Sequence, residues 1–316
     1  MTSIPVAARG PAEPDRGGRP EGAVMAVLAL TLNACVWGVS WWPLRRLHEA
    51  GLHPLWATAL VYAAVVGVIA LRWPAAFAQL GRAPVLWLLA LAAGGTNAAF
   101  NWGVSIGDVV RVVLLFYLMP LWSVLLARLL LGEHLSAWAG LRIALALLGA
   151  AIVLKPVGAG WPLPASLPDW LGIAGGFSFA LNNVMLRREA RQPAEARALA
   201  MFVGGAAVSG LLALGLGGLG LAGGVPLPPP PRLDWLLVAV GLSGAMLAAN
   251  LALQYGAARL RASTTAVVML TEVVFATVSA VWWGEQRMTP QVWLGGALIL
   301  AAAALAALEP EAPATA

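Results

Sequence analysis

Charge is what this chain has least of. Only 10% of its 316 residues are Asp, Glu, Lys or Arg, against about 25% in an ordinary soluble domain, while 60% are hydrophobic. A water-soluble enzyme of normal composition is thereby excluded. Lysine is nearly absent: 18 of the 19 basic residues are Arg, scattered through short stretches with no dense run. The net charge of +5 and the pI near 10.3 therefore read as membrane topology signals, and no nucleic-acid partner is expected. The single cysteine, Cys35, excludes an internal disulfide and a cysteine-based zinc site. His48, His53 and His134 are the only histidines, with no His-Glu-x-x-His pair, which argues against a zinc protease. A Gly-x-Gly-Asp motif, a P-loop and a channel filter are also missing, so an aspartyl intramembrane protease, direct use of ATP and a pore find no support. The chain is not expected to be an enzyme, and no cofactor or metal is called for.

What is present in quantity is uninterrupted apolar sequence. A spanning helix needs about 20 apolar residues, and such segments fall at about 24–46, 53–73, 84–106, 109–131, 136–155, 169–187, 197–222, 234–257, 263–283 and 290–308. They are apolar on every side, which excludes the alternation of a membrane β-barrel. The fold class is an all-α polytopic membrane protein with ten transmembrane helices. Residues 1–23 have no apolar core suited to a cleaved signal peptide and are expected to be a disordered tail, as is 309–316. The stretch 225–232 (VPLPPPPR) is an extended spacer, because consecutive prolines cannot continue a helix.

Two offsets reveal a duplication. Leu44-Arg45-Arg46 returns as Leu186-Arg187-Arg188, 142 residues on, and Gly132-Glu133 returns as Gly284-Glu285, 152 residues on. The difference is about the length of the proline spacer. Residues 24–156 and 157–308 thus form two five-helix units, and an odd number of spans inserts the second copy upside down. With the N-terminus inside, 13 basic residues lie on the inner side and 6 on the outer, which favours both termini in the cytoplasm.

Polar residues inside apolar spans mark the candidate site. Span 3 carries Asn97 and Asn101 on one face, and span 8 repeats them as Asn250 and Gln254 at an offset of 153. They read either as interhelical hydrogen-bond glue or as the lining of a shared cavity. Ser40 of span 1 matches Asn182 of span 6 at the 142 offset. Glu272 lies near the centre of span 9, where a carboxylate costs a few kcal/mol; it either pairs with an Arg or a backbone group, or it exchanges a proton or a substrate cation. Pro120 takes its place in span 4, at the 152 offset, where it frees a backbone carbonyl and kinks the helix. Asp108 and Arg111, one turn apart at the start of span 4, form either a local ion pair or an outer gate. Of the 15 Trp, Trp73, Trp87, Trp138, Trp161, Trp170, Trp235 and Trp293 fall near span ends and read as belt anchors. Trp37, Trp102 and, nearer the ends, Trp41 and Tyr255 offer an aromatic wall for a planar or cationic substrate. The small residues of spans 5 and 10, Gly149, Gly295 and Gly296, suit close packing, as scaffold or as a homodimer contact.

Taken together, the Trp37-Gly38 step, span 4 with Pro120 and Leu131-Gly132-Glu133, the matching TEVVFA and WWGE of span 9, and the Gly/Ala-rich last span resemble the EamA-type permeases of the drug/metabolite transporter superfamily. The resemblance covers about 24–308. It implies a ten-helix inverted-repeat bundle, a cavity lined by spans 1, 3, 4, 6, 8 and 9, and export of metabolites such as amino acids. The expected function is a secondary transporter in a bacterial cytoplasmic membrane, a setting that the Ala-, Gly- and Arg-rich composition also suggests. Its partners are a small-molecule substrate and the lipid bilayer. Expected substrate-binding residues are Trp37, Ser40, Asn97, Asn101, Trp102, Asn182, Asn250, Gln254 and Tyr255; Glu272 is the expected coupling residue, and Asp108 and Arg111 the gate. A drug or lipid flippase of the same fold and a non-transporting scaffold or sensor are the alternatives.

Overall fold

The structure, a computed structural model, describes residues 20–131, 137–155, 161, 163–189, 192–220, 224–257, 259–260, 265, 268–283 and 288–307. The Gly132-Glu133 and Gly284-Glu285 pairs and most of both tails lie outside the described residues. Every regular element among the described residues is an α-helix. The first half comprises α1 (Pro20–Val39), α2 (Trp41–Glu49), α3 (Pro54–Arg72), α4 (Ala75–Arg82), α5 (Val85–Ile106), α6 (Val109–Phe116), α7 (Met119–Leu131) and α8 (Ala137–Leu154). The second comprises α9 (Leu167–Arg188), α10 (Ala194–Gly218), α11 (Leu233–Ala257), α12 (Thr271–Trp282) and α13 (Pro290–Ala307). Spans 1 and 4 are each two helices, α1–α2 and α6–α7, and α12 is the second part of span 9.

Among the described residues, five stretches are long and apolar enough to cross a membrane as they stand: Ala23–Glu49, Pro54–Arg72, Val109–Leu130, Ala194–Gly218 and Leu233–Leu253. The pair α4–α5 makes a sixth, bent by 105°. Gly140–Leu154, Thr271–Trp282 and Pro290–Leu305 are apolar but shorter, and α9 carries Asn182 and Asn183 in its apolar run. The helix α4 was not expected from the sequence. It sits between Pro74 and Pro84, buries Ala76 and Leu80 one turn apart, and leaves Phe77 exposed. The expected tail is also shorter than 1–23, since α1 begins at Pro20, a residue well suited to a first helical turn.

The packing follows the duplication. α5 packs on α9 and α10, and the corresponding pairs in the other half are α11 on α1 and α11 on α3. The contact of α6 and α7 with α9 corresponds to that of α12 with α1. The contacts α3–α10, α6–α12 and α8–α13 join equivalent spans of the two halves. Exchanging the halves maps this set of contacts onto itself, as two inverted five-helix repeats require.

Hydrocarbon gives no hydrophobic drive for helix association, so close backbone approach and interhelical hydrogen bonds take over. A Cβ on Gly204 of α10 would collide with the carbonyl of Ala90, and one on Gly94 of α5 with the carbonyl of Gly204. Between α8 and α13 the same device is reciprocal: a Cβ on Gly149 would lie 2.6 Å from the Gly295 carbonyl oxygen, and one on Gly295 2.7 Å from that of Gly149. The small-residue faces that raised the prospect of a subunit contact are therefore turned towards each other within one chain. Gln291 of α13 adds two hydrogen bonds, donating to the carbonyls of Ile152 and Lys155 at 2.6 Å each. The proline spacer folds back, with Val225 buried against Leu55 and Trp102. Trp235, expected in the lipid belt, is instead buried and donates to the Pro230 carbonyl at 3.2 Å.

Gly204→Ala is expected to destabilise the protein by about 1–3 kcal/mol through overpacking. Gly215→Ala on the same helix, where a Cβ meets nothing within 4 Å, is expected to leave stability unchanged or raise it by up to about 1 kcal/mol. Thermal melts of the detergent-solubilised variants distinguish the two.

Candidate functional site

Three interruptions of helix geometry meet near the middle of the bundle. Proline supplies no N–H, so the carbonyl four residues before it loses its helical donor. Pro43 does this to Val39, and the turn at Ser40 separates α1 from α2, with Ser40 Oγ donating to the Trp37 carbonyl at 2.8 Å. Pro120 does it to Phe116, and a turn at Tyr117-Leu118 separates α6 from α7. The third turn, at Leu270, precedes α12. Residues 118 and 270 are 152 apart, so the breaks of spans 4 and 9 are equivalent positions in the two repeats.

These breaks are wired to each other. The Tyr117 hydroxyl, buried within the bundle, donates to the carbonyl of Met269 at 3.3 Å and lies 3.4 Å from Glu272 Oε2. Met269 is the position equivalent to Tyr117 itself. Glu272 is 8% exposed, and its carboxylate has no basic partner among the described residues. Gly38 seats α1 on the same turn: a Cβ there would be 2.7 Å from the Glu272 carbonyl oxygen. One turn further, Trp41 Nε1 donates to Ser279 Oγ at 2.9 Å. On the other side of Tyr117, Trp37, Phe100, Phe116 and Phe179 form a chain of edge-on and tilted rings, with centroid separations of 6.1, 4.9 and 5.3 Å. Spans 1, 3, 4, 6 and 9 all contribute to this cluster.

The other expected site residues are distributed differently. Asn97 is satisfied locally: Tyr62 donates to its Oδ1 at 2.5 Å, and its Nδ2 donates to the Ala93 carbonyl at 2.7 Å. Asn101 donates to Thr58 at 3.1 Å, so this pair ties α5 to α3, as the glue reading has it, although Asn101 Oδ1 stays unpartnered. Asn182 is 2% exposed, reaches Asn183 only at 3.5 Å, and keeps its own Oδ1 unpartnered. Trp102 packs edge-on against His53 at 5.1 Å, at the bundle end that carries Arg111. Asn250 lines a lateral groove between α3, α10 and α11. Tyr255 is exposed beneath the Arg259 guanidinium, 3.7 Å from its ring centre. The side chain of Gln254 lies outside the described residues.

Asp108 and Arg111 do not pair through their side chains. Asp108 caps α6, its Oδ1 accepting the Arg111 backbone N–H at 2.8 Å. The Arg111 guanidinium turns instead to Asp169 of α9, with contacts of 2.6 and 3.0 Å, and donates to the Val153 carbonyl at 2.7 Å. Asp169 is 2% exposed and also accepts the backbone N–H groups of Ala165 and Ser166. A planar guanidinium matches a carboxylate in this two-pronged way better than any other side chain. The pair joins the first repeat to the second. Nearby, Arg45 of α2 donates to the carbonyls of Val104 and Gly107 at 3.2 and 2.7 Å, which caps the end of α5.

The sequence pattern of the EamA-like transporter family matches residues 24–155 and 166–308. The chain belongs to the EamA-like transporter family. An uncharacterized transporter of Vibrio cholerae serotype O1 (strain ATCC 39315 / El Tor Inaba N16961) is 27% identical over 152 residues, 46% of this chain and 49% of that protein. The chain thus spans about half the length of the curated relative it matches. A solved crystal structure superposes with a TM-score of 0.57 at 22% identity, covering 93% of this chain and all of the other; at that identity it speaks for the fold alone.

This member of the EamA-like transporter family is therefore a multi-pass membrane protein, and two of its most informative residues carry little sequence signal. Tyr117 sits in a run of apolar residues, and its significance lies in facing a backbone carbonyl at its own symmetry position. Asp169 is 58 residues from Arg111, a spacing with no helical meaning. Their common signal is that each is a polar group within a turn of a helix break or helix start.

Loss of Asp169 alone, as Asp169→Leu, is expected to cost the EamA-like transporter about 3–5 kcal/mol by stranding the arginine, and Arg111→Met with Asp169→Leu clearly less. Chemical or thermal unfolding of the three proteins measures this. A second expectation concerns His53, the N-cap of α3, whose Nδ1 accepts the Leu55 N–H at 3.2 Å. Burial first, and then the adjacent His48, push its pKa from 6.5 down to about 4. The unfolded chain therefore takes up this proton first, so the stability contributed here is whole above pH 6.5 and is lost as the pH falls towards 4. His53→Asn keeps a capping side chain without titration, and melts across pH 7 to 4 should show a smaller acid loss for it.

Proposed function

We propose that this EamA-like transporter is a secondary exporter of small amphipathic metabolites, amino acids among them, working by alternating access around the facing breaks of spans 4 and 9. The observation that carries the reading is the junction of Tyr117 with Met269 and Glu272. Discontinuous helices meeting near the midplane, with freed carbonyls and a buried carboxylate, suit a site for a polar substrate or coupling ion. A static scaffold has no use for a carboxylate that costs about 2.5–3.5 kcal/mol to insert. In this reading Glu272 exchanges a proton or takes the ammonium group of the substrate, and Tyr117 holds the carboxylate in place. Trp37, Phe100 and Phe116 offer faces to the apolar or cationic part. These rings now pack against one another, so substrate entry requires them to part.

The surplus of arginine supports an orientation with the face bearing Arg72 and Arg188 in the cytoplasm of a bacterial cell and Arg111 and Asp169 outside. The outer pair then acts as a latch between the halves, and opening to the exterior breaks it. Asn182 and Asn101, each with an unpartnered amide oxygen, are the polar residues best placed to meet a substrate once the halves move.

The direct test is mass spectrometry of the medium and cytosol of cells expressing the protein from an inducible promoter. One compound class should accumulate outside with the wild type. Glu272→Gln should abolish its proton-dependent flux while the protein remains folded in the membrane. Tyr117→Phe should lower flux by roughly tenfold, the worth of one hydrogen bond to a charged group. Flux that is unchanged in Glu272→Gln at every pH removes the carboxylate from the mechanism, and no compound moving in any strain removes metabolite export.

A further inference from the structure

At the Arg72 face the ends of α3, α10 and α11 leave a groove open to the side. It consists of two cavities of about 300 and 200 Å3 that share Trp73 and Glu195. The upper cavity is polar at its rim, with Arg72, Trp73, Gln79 and Glu195. The lower one is bounded mainly by Ile69, Phe202, Leu247 and Leu251, with Asn250 a polar side chain among them. From Glu195 to Phe202 the groove follows seven residues of α10, roughly 10 Å of helix, so its character changes from charged to apolar over that depth.

The level of this change is fixed by α4. It runs across the start of α5, bent by 105° from it, and exposes Phe77 beside the exposed Trp73. The amphipathic indole of Trp73 settles at the boundary between headgroups and hydrocarbon. The charged rim therefore lies among lipid headgroups, and the apolar part among acyl chains.

The rim carries one charge of each sign, and they are not joined. The Arg72 guanidinium leans over the Trp73 ring at 5.7 Å, and among the described residues neither Arg72 nor Glu195 has an ion-pair partner. Both line the cavity between them. We infer that this groove is a binding site for one zwitterionic aminophospholipid of the phosphatidylethanolamine type. Its phosphate meets Arg72, its ammonium meets Glu195, and an acyl chain lies along Phe202, Leu247 and Leu251. An anionic lipid satisfies Arg72 alone and sets its headgroup against Glu195. A purely apolar occupant leaves both charges unused. The assignment does not depend on which metabolite is carried, because the groove is distinct from the Tyr117–Glu272 junction.

The test is native mass spectrometry of the full chain, released from detergent micelles containing phosphatidylethanolamine, phosphatidylglycerol and phosphatidylcholine in equal amounts. The wild type should retain phosphatidylethanolamine over phosphatidylglycerol by roughly threefold, the size an exposed ion pair gives. Glu195→Gln should erase that preference while binding persists, and Arg72→Gln should reduce retention of all three. Leu247→Trp, which fills the apolar part without touching either charge, should release the lipid from a protein that stays monodisperse. Equal retention of the three lipids by the wild type overturns the proposal, as does a preference for phosphatidylglycerol. So does an ethanolamine preference that survives Glu195→Gln, or a lipid that survives Leu247→Trp.

Discussion

A peptide carbonyl in hydrocarbon has no water to turn to, and an unsatisfied one costs several kcal/mol. Each helix break in this bundle must therefore be covered by protein, and much of the packing serves that need. Gly176 of α9 lies directly against the Phe116 carbonyl that Pro120 leaves without its donor. Gly38 of α1 lies against the carbonyl of Glu272. The Tyr117 hydroxyl supplies a donor to Met269. Glycine on one helix and an interrupted turn on the next are thus two sides of one requirement. Spans 1, 4, 6 and 9 are held together at the level where their own hydrogen bonding lapses.

The same constraint explains what could be read from the sequence. Apolar run lengths located the spans, since lipid demands continuous hydrophobicity over a fixed thickness. The offsets of 142 and 152 expose the duplication, and the second of these sets Pro120 opposite Glu272. Side-chain partners were much less legible. Asn97 and Asn101 share a helix face, and a face of amides reads alike whether it lines a cavity or bonds to Tyr62 and Thr58. Arg111 had Asp108 one turn away as an obvious partner, yet the acid was drawn to the open N–H groups at the helix start, which left the guanidinium to Asp169. α4 went unseen because eight residues between two prolines carry too short a pattern to separate from a loop.

Among the described residues the two ends of the bundle differ. At the Arg111 face, Arg111–Asp169, Gln291 with Ile152 and Lys155, and Arg45 with the end of α5 tie helices together through short hydrogen bonds. The first two of these cross between the repeats. At the Arg72 face a groove lies between α3, α10 and α11. A pair of halves related by inverted symmetry has no reason to be equal at both ends at once, since alternation between two unequal arrangements is what such symmetry permits.

The reciprocal seat of Gly149 and Gly295 bears on how such an alternation proceeds. Spans 5 and 10 are exchanged by the repeat relation, so their contact straddles the pseudo-two-fold axis. There the Gly149 and Gly295 backbones meet directly, flanked by the side chains of Val153 and Ile299. Large side chains facing each other at this point would have to change rotamers for one half to turn against the other, whereas a glycine opposite a glycine need not. In the proposed alternating-access cycle the α8–α13 contact is the pivot, where rotation changes the angle between the helices while the Gly149–Gly295 approach is kept.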